Sequence, residues 1–299
     1  MRALVTGIKG FTGRYVAAEL AAAGWEVWGT GAHEEAGDRR YRRADLADAE
    51  ALQKVVAEVA PDVVVHLAAI AFVGHGDAEA FYRVNLIGTR NLLAALAAAN
   101  KRPECVLLAS SANVYGNVTE GVLSESSLPN PANDYAVSKL AMEYMARLWL
   151  DKLPIVIARP FNYTGVGQAE NFLLPKIVGH FRRGAEVIEL GNLDVWRDFS
   201  DVRAVARAYR RLLEVRPVGE TVNVCSGRAR SLREVLAIAE GLTGRSIRVE
   251  VNPAFVRVNE VRTLRGDPAH LRGLIGEWDS PPLEETLRWM LEGAPGVAS

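Results

Sequence analysis

The 299 residues carry 35 lysines and arginines against 36 aspartates and glutamates, a formal net charge of −1 near pH 7. With 49% apolar and 24% charged residues, the composition is that of a soluble globular protein long enough to bury one large α/β core or two smaller ones. Neither half of the chain has the basic excess of a nucleic-acid binder. No apolar run approaches membrane-spanning length, and Met1 leads straight into the strand-like RALVTG, so a cytoplasmic protein without membrane or nucleic-acid partners is expected. Cys105 and Cys225 lie in apolar, strand-like stretches and read as reduced structural thiols; the five histidines show no metal-ligand spacing, and no metal is expected.

In chain order, short apolar runs alternate with longer helical patterns. RALVTG is followed by FTGRYVAAELAAAG, then EVWGTG, DAEALQKVVAEV, DVVVHLAA, AFYRVNLIGTRNLLAALAAA, ECVLLAS, DYAVSKLAMEYMARLWL and PIVIARP. Strands alternating with helices imply βαβ units, a parallel sheet and right-handed crossovers. The expected fold is therefore α/β, a doubly wound parallel Rossmann-like sheet in residues 1–160. After Pro160 the order changes: a Gly/Asn-rich loop, a helix near Phe172–Arg183, an extended VIELGNLDVWRDF and a helix DVRAVARAYRRLLEV. Shorter elements follow, and Pro281 and Pro282 introduce a last helix. Residues 161–299 read as mostly a smaller, discontinuous α/β lobe, with segments near 198–225 returning to pack on the first.

The stretch TGIKGFTG places Gly7, Gly10 and Gly13 between the first strand and the first helix. Glycine there permits a tight turn, close approach of backbone to a pyrophosphate, and close packing of helix on strand, while the helix N-terminus offers free N–H groups. The spacing is GxxGxxG, not the usual GxGxxG, but its position directly after a strand and before an amphipathic helix makes it a dinucleotide-binding candidate. Past the second strand come Gly31 and Ala32, then His33, Glu34 and Glu35, with Arg39 and Arg40 further on, which leaves NAD and NADP both open. Asp45, after the third strand, is either an adenine acceptor or a loop acid capping a helix.

Tyr135 and Lys139 lie four apart on a predicted helix and share a face. An ammonium and a cationic nicotinamide ring beside a phenol favour the phenolate and lower its pKa, and such a tyrosine can give or take a proton at a carbonyl oxygen as hydride moves at carbon. Ser111, placed after the apolar strand ECVLLAS, is positioned to hydrogen-bond the same oxygen.

TGIKGFTG, HLAA at His66–Ala69, SSANVYG, YAVSK and RPFN at Arg159–Asn162 occur in an order and spacing that resembles the extended short-chain dehydrogenase/reductase family, over nearly the whole chain. That resemblance implies a catalytic set of Ser111, Tyr135 and Lys139. It also implies a nicotinamide cofactor, NADP or NAD, held by Gly7, Gly10, Phe11, Thr12 and Gly13, by Asp45 and Leu46, by Leu67, Ala68 and Ala69, and by Tyr135 and Lys139. Asn85 in YRVNLIGT is implied to support the site, where a helix-bridging role is the competing reading. A homodimer through the helices after Asp77 and Asp134 is implied as well.

ENFLLPKI at Glu170–Ile177, LGNLDVWRDF at Leu190–Phe199 and the RxxEV and GD pattern at Arg257–Asp267 look like the GDP-mannose 4,6-dehydratase and GDP-4-keto-6-deoxymannose reductase branch. A nucleotide-diphosphate sugar needs basic side chains at its pyrophosphate. By resemblance Lys176, Arg197 and Arg257 hold the diphosphate, Glu260 the ribose or guanine, and Asn113 and Asn162 the sugar end. Val258 stands where the branch usually has proline. In the dehydratase, the position resembling Asn113 carries a glutamate that removes a proton from the sugar ring. A carboxamide has no group that titrates near neutral pH and cannot be that base. Dehydration is disfavoured, and the expected activity is NAD(P)H-dependent reduction of the C4 keto group of a GDP-4-keto-6-deoxy hexose, with a nucleotide-sugar 4-epimerase as runner-up and a non-catalytic binding protein as a distant third.

Overall fold

The computed structural model describes residues 1–34, 37–72, 76–116, 121–255 and 262–293. Its strands are β1 (Arg2–Thr6), β2 (Glu26–Gly31), β3 (Tyr41–Arg43), β4 (Val63–His66), β5 (Cys105–Ala109), β6 (Ile155–Pro160), β7 (Asn162–Thr164), β8 (Val187–Leu190), β9 (Trp196–Asp201), β10 (Thr221–Val224), β11 (Ala229–Ser231), β12 (Arg248–Val251) and β13 (Thr263–Leu264). The helices are α1 (Phe11–Ala22), α2 (Ala49–Val59), α3 (Ala78–Phe81), α4 (Thr89–Ala98), α5 (Asp134–Arg147), α6 (Leu173–Arg183), α7 (Val202–Val215), α8 (Leu232–Thr243), α9 (Ala269–Ile275) and α10 (Leu283–Glu292).

Seven parallel strands form the main sheet in the order β10, β6, β5, β4, β1, β2, β3. Side chains alternate across it, as strand geometry requires. Ala3 and Val5 of β1 join Val16 and Leu20 of α1 and Tyr209 and Leu212 of α7 on one face. Leu4 and Val64 meet Leu52, Leu92 and Met142 of α2, α4 and α5 on the other. Because both faces are covered, the central strands read as continuous apolar runs. Each fully buried aliphatic side chain contributes about 1.5–3 kcal/mol of transfer free energy.

β10 and α7 come from beyond Pro160 yet belong to this layer: β10 extends the sheet past β6, and α7 packs beside α1. β9 pairs instead with β7, β11 and β13 in a small second sheet, and β8 pairs with β12. Around them Leu174, Ile177 and Phe181 of α6, Val235 of α8 and Leu287 of α10 form a separate core. Where one helix was expected from Ala80 to Ala99, α3 runs into a π-helical segment, Tyr82–Gly88, before α4. The cysteines are free and buried; burial pushes the Cys105 thiol up to about 12 and raises that of Cys225. No helix among the described residues is long and apolar enough to cross a membrane.

Candidate active site

The site forms where the sheet's C-terminal edge meets the small lobe. Gly7, at the end of β1, has φ +69°, and a Cβ there would stand 2.9 Å from the Ala68 backbone, so only glycine lets the HLAA loop settle on the turn. A Cβ on Gly13 would fall 2.2 Å from the Gly7 carbonyl oxygen, whereas on Gly10 it would lie 3.1 Å away. α2, α5 and α8 have side-chain caps from Asp48, Asn133 and Ser231, but α1 begins at Gly10 with none. Its first N–H groups therefore remain available to an anion. This glycine cradle, which any side chain would fill, fits a dinucleotide pyrophosphate.

Beneath the turn, Thr6 Oγ1 accepts from the Leu67 and Ala68 N–H groups and pairs with His66 Nδ1 at 2.7 Å. His66 Nε2 meets Thr89 Oγ1 at 2.9 Å, and that hydroxyl donates to the Asn85 carbonyl. The chain of donors is satisfied when His66 carries its proton on Nε2. Burial, followed by the charge of Lys139, pushes His66 down to about 3, so the ring is neutral.

Ser111 follows β5 and caps a 3₁₀ turn, Ala112–Tyr115; its Oγ accepts from the Asn113 backbone N–H at 3.1 Å and Nδ2 at 3.2 Å. Tyr135 and Lys139, both buried, project from α5. The Tyr135 hydroxyl bonds the Ser111 side chain, and the Phe81 ring packs edge-on against it at 5.9 Å. The expected lowering of the phenol pKa is not what the buried site gives: burial pushes Tyr135 up to about 12, against the Ser111 hydrogen bond. Lys139 donates to the Ala109 carbonyl at 2.8 Å, and burial lowers its ammonium to about 8 with the Glu143 carboxylate working the other way. The phenol is thus held protonated, the form that donates a proton.

Behind α5 lies a buried network that motif spacing did not reveal. Glu143 pairs with Arg159 through Nε at 2.9 Å and Nη2 at 2.6 Å, and accepts from the Ser110 hydroxyl. Arg159 Nη1 continues to Tyr115, whose hydroxyl donates to Asn223 Oδ1 of β10. Tyr135, Lys139 and Glu143 recur every four residues, and that spacing was the available signal. Tyr163 was also missed: its hydroxyl meets Thr12 Oγ1 at 2.8 Å, its ring stacks on Phe11, and its side chain is among the groups acting on Tyr135.

Several expected contacts are already committed inside the protein. Asn85 accepts from the Ile70 N–H and donates to the Ile70 carbonyl and Ser138 Oγ, so it ties the π-helical segment to α5 and the β4 loop instead of facing a ligand. Asp45 accepts from the Ala47 N–H at 2.9 Å, a loop turn that precedes the Asp48 cap. Leu46 packs against Gly88. Leu67 and Ala68 line the two faces of the sheet at their ends, with Ala69 beside them half-buried. Lys176 Nζ donates to the Glu189 carbonyl at 2.7 Å and sits over the Phe255 ring, and Arg197 donates to the Trp196 and Arg262 carbonyls. Asn162 differs: its Nδ2 is buried with no hydrogen-bond partner among the described residues. Arg257, Val258 and Glu260 lie outside the described residues.

Comparisons with known proteins place the chain among its relatives. Residues 3–225 match the model of the NAD dependent epimerase/dehydratase family. The chain is 36% identical over 279 residues to a GDP-6-deoxy-D-talose 4-dehydrogenase of Aggregatibacter actinomycetemcomitans, covering 92% of each chain. It is 34% identical over 303 residues to a GDP-6-deoxy-D-mannose reductase of Pseudomonas aeruginosa, covering 97% of this chain and 96% of that one. Among solved structures, one from Burkholderia cenocepacia J2315 superposes with a TM-score of 0.92 at 57% identity, and RMD from Pseudomonas aeruginosa complexed with NADPH superposes with 0.84 at 34% identity, each over 97% of both chains. A glycine cradle at the end of β1, a Ser, Tyr and Lys set at the end of β5 and on α5, and a match spanning most of the chain make this protein a member of the NAD-dependent epimerase/dehydratase family, an oxidoreductase that uses NAD(P).

Proposed function

We propose that the protein reduces the C4 keto group of a GDP-4-keto-6-deoxy hexose, giving a GDP-6-deoxy sugar of the GDP-rhamnose type. The observation that carries this reading is the buried Tyr135 hydroxyl set against the Ser111 side chain, with the carboxamide of Asn113 at the position where the resembling dehydratase motif carries a glutamate. The names of two relatives above 30% identity, a GDP-6-deoxy-D-mannose reductase and a GDP-6-deoxy-D-talose 4-dehydrogenase, point to the same carbon. NAD(P)H supplies the hydride when bound. Tyr135 gives its proton to the developing alkoxide, Ser111 donates a second hydrogen bond to the same oxygen, and the Lys139 ammonium stabilises the resulting phenolate.

The sugar end is assigned to Asn113 and Asn162, a role supported by the buried, unpartnered Asn162 Nδ2. Lys176, Arg197 and Arg257 are assigned to the diphosphate and Glu260 to the ribose or guanine, with Lys176 exchanging the Glu189 carbonyl for a phosphate oxygen. A cytoplasmic homodimer is part of the proposal; Ile87, Val137, Tyr144 and Leu148 are apolar and exposed on the π-helical segment and on α5 and its end.

The test mixes purified protein with GDP-4-keto-6-deoxymannose and follows the consumption of NADPH and of NADH by absorbance, in parallel. Stoichiometric consumption is expected. No consumption, together with interconversion of nucleotide-sugar 4-epimers by protein that retains NAD, would replace reductase by epimerase.

A further inference from the structure

We propose that Asn113 is a positioning residue: it fills the acceptor sites of the Ser111 hydroxyl, so that this hydroxyl can only donate and the Tyr135 proton is kept for the sugar oxygen. A serine hydroxyl has one hydrogen and two lone pairs. Ser111 Oγ accepts from the Asn113 backbone N–H at 3.1 Å and from its Nδ2 at 3.2 Å, which occupies both lone pairs. What Oγ has left to offer is its hydrogen, and the group it meets is the Tyr135 hydroxyl.

Two hydroxyls in contact can bond in either direction. Were Tyr135 to donate to Ser111, its proton would be held by the serine. With Ser111 as the obligate donor, the Tyr135 oxygen accepts, and the phenol hydrogen stays available to a carbonyl oxygen of the sugar. The same donated hydrogen bond favours the phenolate that remains once the proton has left. Side-chain identity at 113 decides the direction. A carboxylate of the same shape has no hydrogen to give and would accept the Ser111 proton, turning the hydroxyl from Tyr135; alanine would leave one lone pair open.

The turn that carries Asn113 is held along its length. The Val114 N–H donates to the Ser111 carbonyl at 3.2 Å and the Gly116 N–H to the Asn113 carbonyl at 3.0 Å. Ala112, Val114 and Tyr115 are buried around it. Gly116, at φ +56°, closes the turn where a Cβ would overlap the Asn130 carbonyl, and the Asn130 N–H returns to the Val114 carbonyl at 2.9 Å. A donor fixed in this way needs no reorganisation as the reaction proceeds.

None of this depends on which sugar is reduced, so the first readout uses no sugar. It is the absorbance titration of the Tyr135 phenolate with oxidised cofactor, NADP⁺ or NAD⁺, bound, taken as the difference from Tyr135→Phe. The titratable groups around the phenol, Lys139 on α5, Tyr163 on β7 and Tyr209 on α7, are left intact. Asn113→Ala and Asn113→Asp should both raise the midpoint, the aspartate by about one pH unit or more, as Ser111→Ala does. The new charge of the aspartate acts with or without Ser111; the part of its shift that vanishes in a Ser111→Ala background measures orientation. In that background Asn113→Ala should change neither the midpoint nor kcat further, because the group it acts through is gone.

With GDP-4-keto-6-deoxymannose, Asn113→Asp should lower kcat about tenfold or more while Ser111 is present. A contact with the sugar would show instead in KM, equally in both backgrounds. NADPH titration reports the fold of each variant, and the isosteric aspartate carries the comparison if the alanine variant fails to fold. A midpoint that neither substitution moves, or a shift of equal size with and without Ser111, overturns the proposal. Titration as expected in a protein that leaves this sugar untouched removes the proposed function and not the role of Asn113.

Discussion

Glu143 stands one helical turn beyond Lys139 on α5 and closes a buried ion pair with Arg159 at 2.6 Å, while Lys139 itself reaches back to the Ala109 carbonyl at 2.8 Å. One helix face is thereby fastened to β5 and β6 together, which fixes Tyr135 and Lys139 relative to Ser111. Removing one partner of a buried pair leaves the other charge uncompensated and costs about 3–5 kcal/mol. Glu143→Gln should therefore lower the unfolding free energy obtained from a urea titration by about that amount. Because the carboxylate raises the Lys139 pKa, the alkaline limb of the pH–rate profile should also move to lower pH in the variant; an unmoved limb would leave Glu143 a stability role only.

Lys139 gives stability an unusual pH dependence. Its folded pKa, about 8, lies below its ordinary 10.5. Between those values the unfolded chain keeps a proton that the folded chain has lost, so stability rises with pH across this window, by up to about 1.4 kcal/mol per unit for one proton. Lys139→Met should abolish turnover, remove this slope in denaturation series at pH 8 and pH 10, and be no less stable at pH 7.

His66 acts at the acid end. With a folded pKa of about 3 against an ordinary 6.5, it binds a proton in the unfolded chain first, and stability is lost as pH falls through 6.5 toward 3. His66→Gln, whose amide can still bridge Thr6 and Thr89, should flatten this part of the curve, measured as melting temperature between pH 4 and 7.

Tyr135→Phe should lower kcat by about 10²–10⁴ while NADPH binding persists in a fluorescence titration. Ser111→Ala should cost less, because the phenol still supplies the proton. Turnover retained by the Tyr135 variant would remove the phenol from the mechanism.

The glycine turn predicts unequal effects at two similar positions. Gly13→Ala drives a methyl to 2.2 Å from the Gly7 oxygen and should abolish cofactor binding. At Gly10 the same atom meets that oxygen at 3.1 Å, a contact that needs only a small shift, and Gly10→Ala should keep measurable affinity. Titration of both variants with NADPH distinguishes the two cases.

The main sheet was readable because strands buried on both faces are continuous apolar runs; the glycines stood out by their place between a strand and a helix, Tyr135 and Lys139 by sharing a helix face, and Ser111 by its place after a strand together with the family resemblance. The π-helical segment was not, since YRVNLIG has ordinary helical periodicity and its altered hydrogen bonding is tied to Asn85 reaching Ile70 and Ser138. Lys176 and Arg197 showed in the sequence as cations for a diphosphate; that backbone carbonyls hold them is a tertiary fact. The Thr12 and Tyr163 contact joins residues 151 positions apart, beyond the reach of any local pattern.

The seventh strand, β10, has a consequence for how this protein could be recombined or dissected. A fragment ending at Pro160 would leave β6 as an open edge, lose the α7 side chains that cover Val16 and Leu20, and strip Asn223 from the hydrogen bond with Tyr115. Exchanging the lobe built on the small second sheet with that of a relative thus cannot be done by a single junction after α5. The graft must leave α7, β10 and α9 with their original sheet, because Val205, Leu212 and Val222, and further along Leu271, Ile275 and Trp278, belong to its core, which is thus encoded in three separate stretches of the chain.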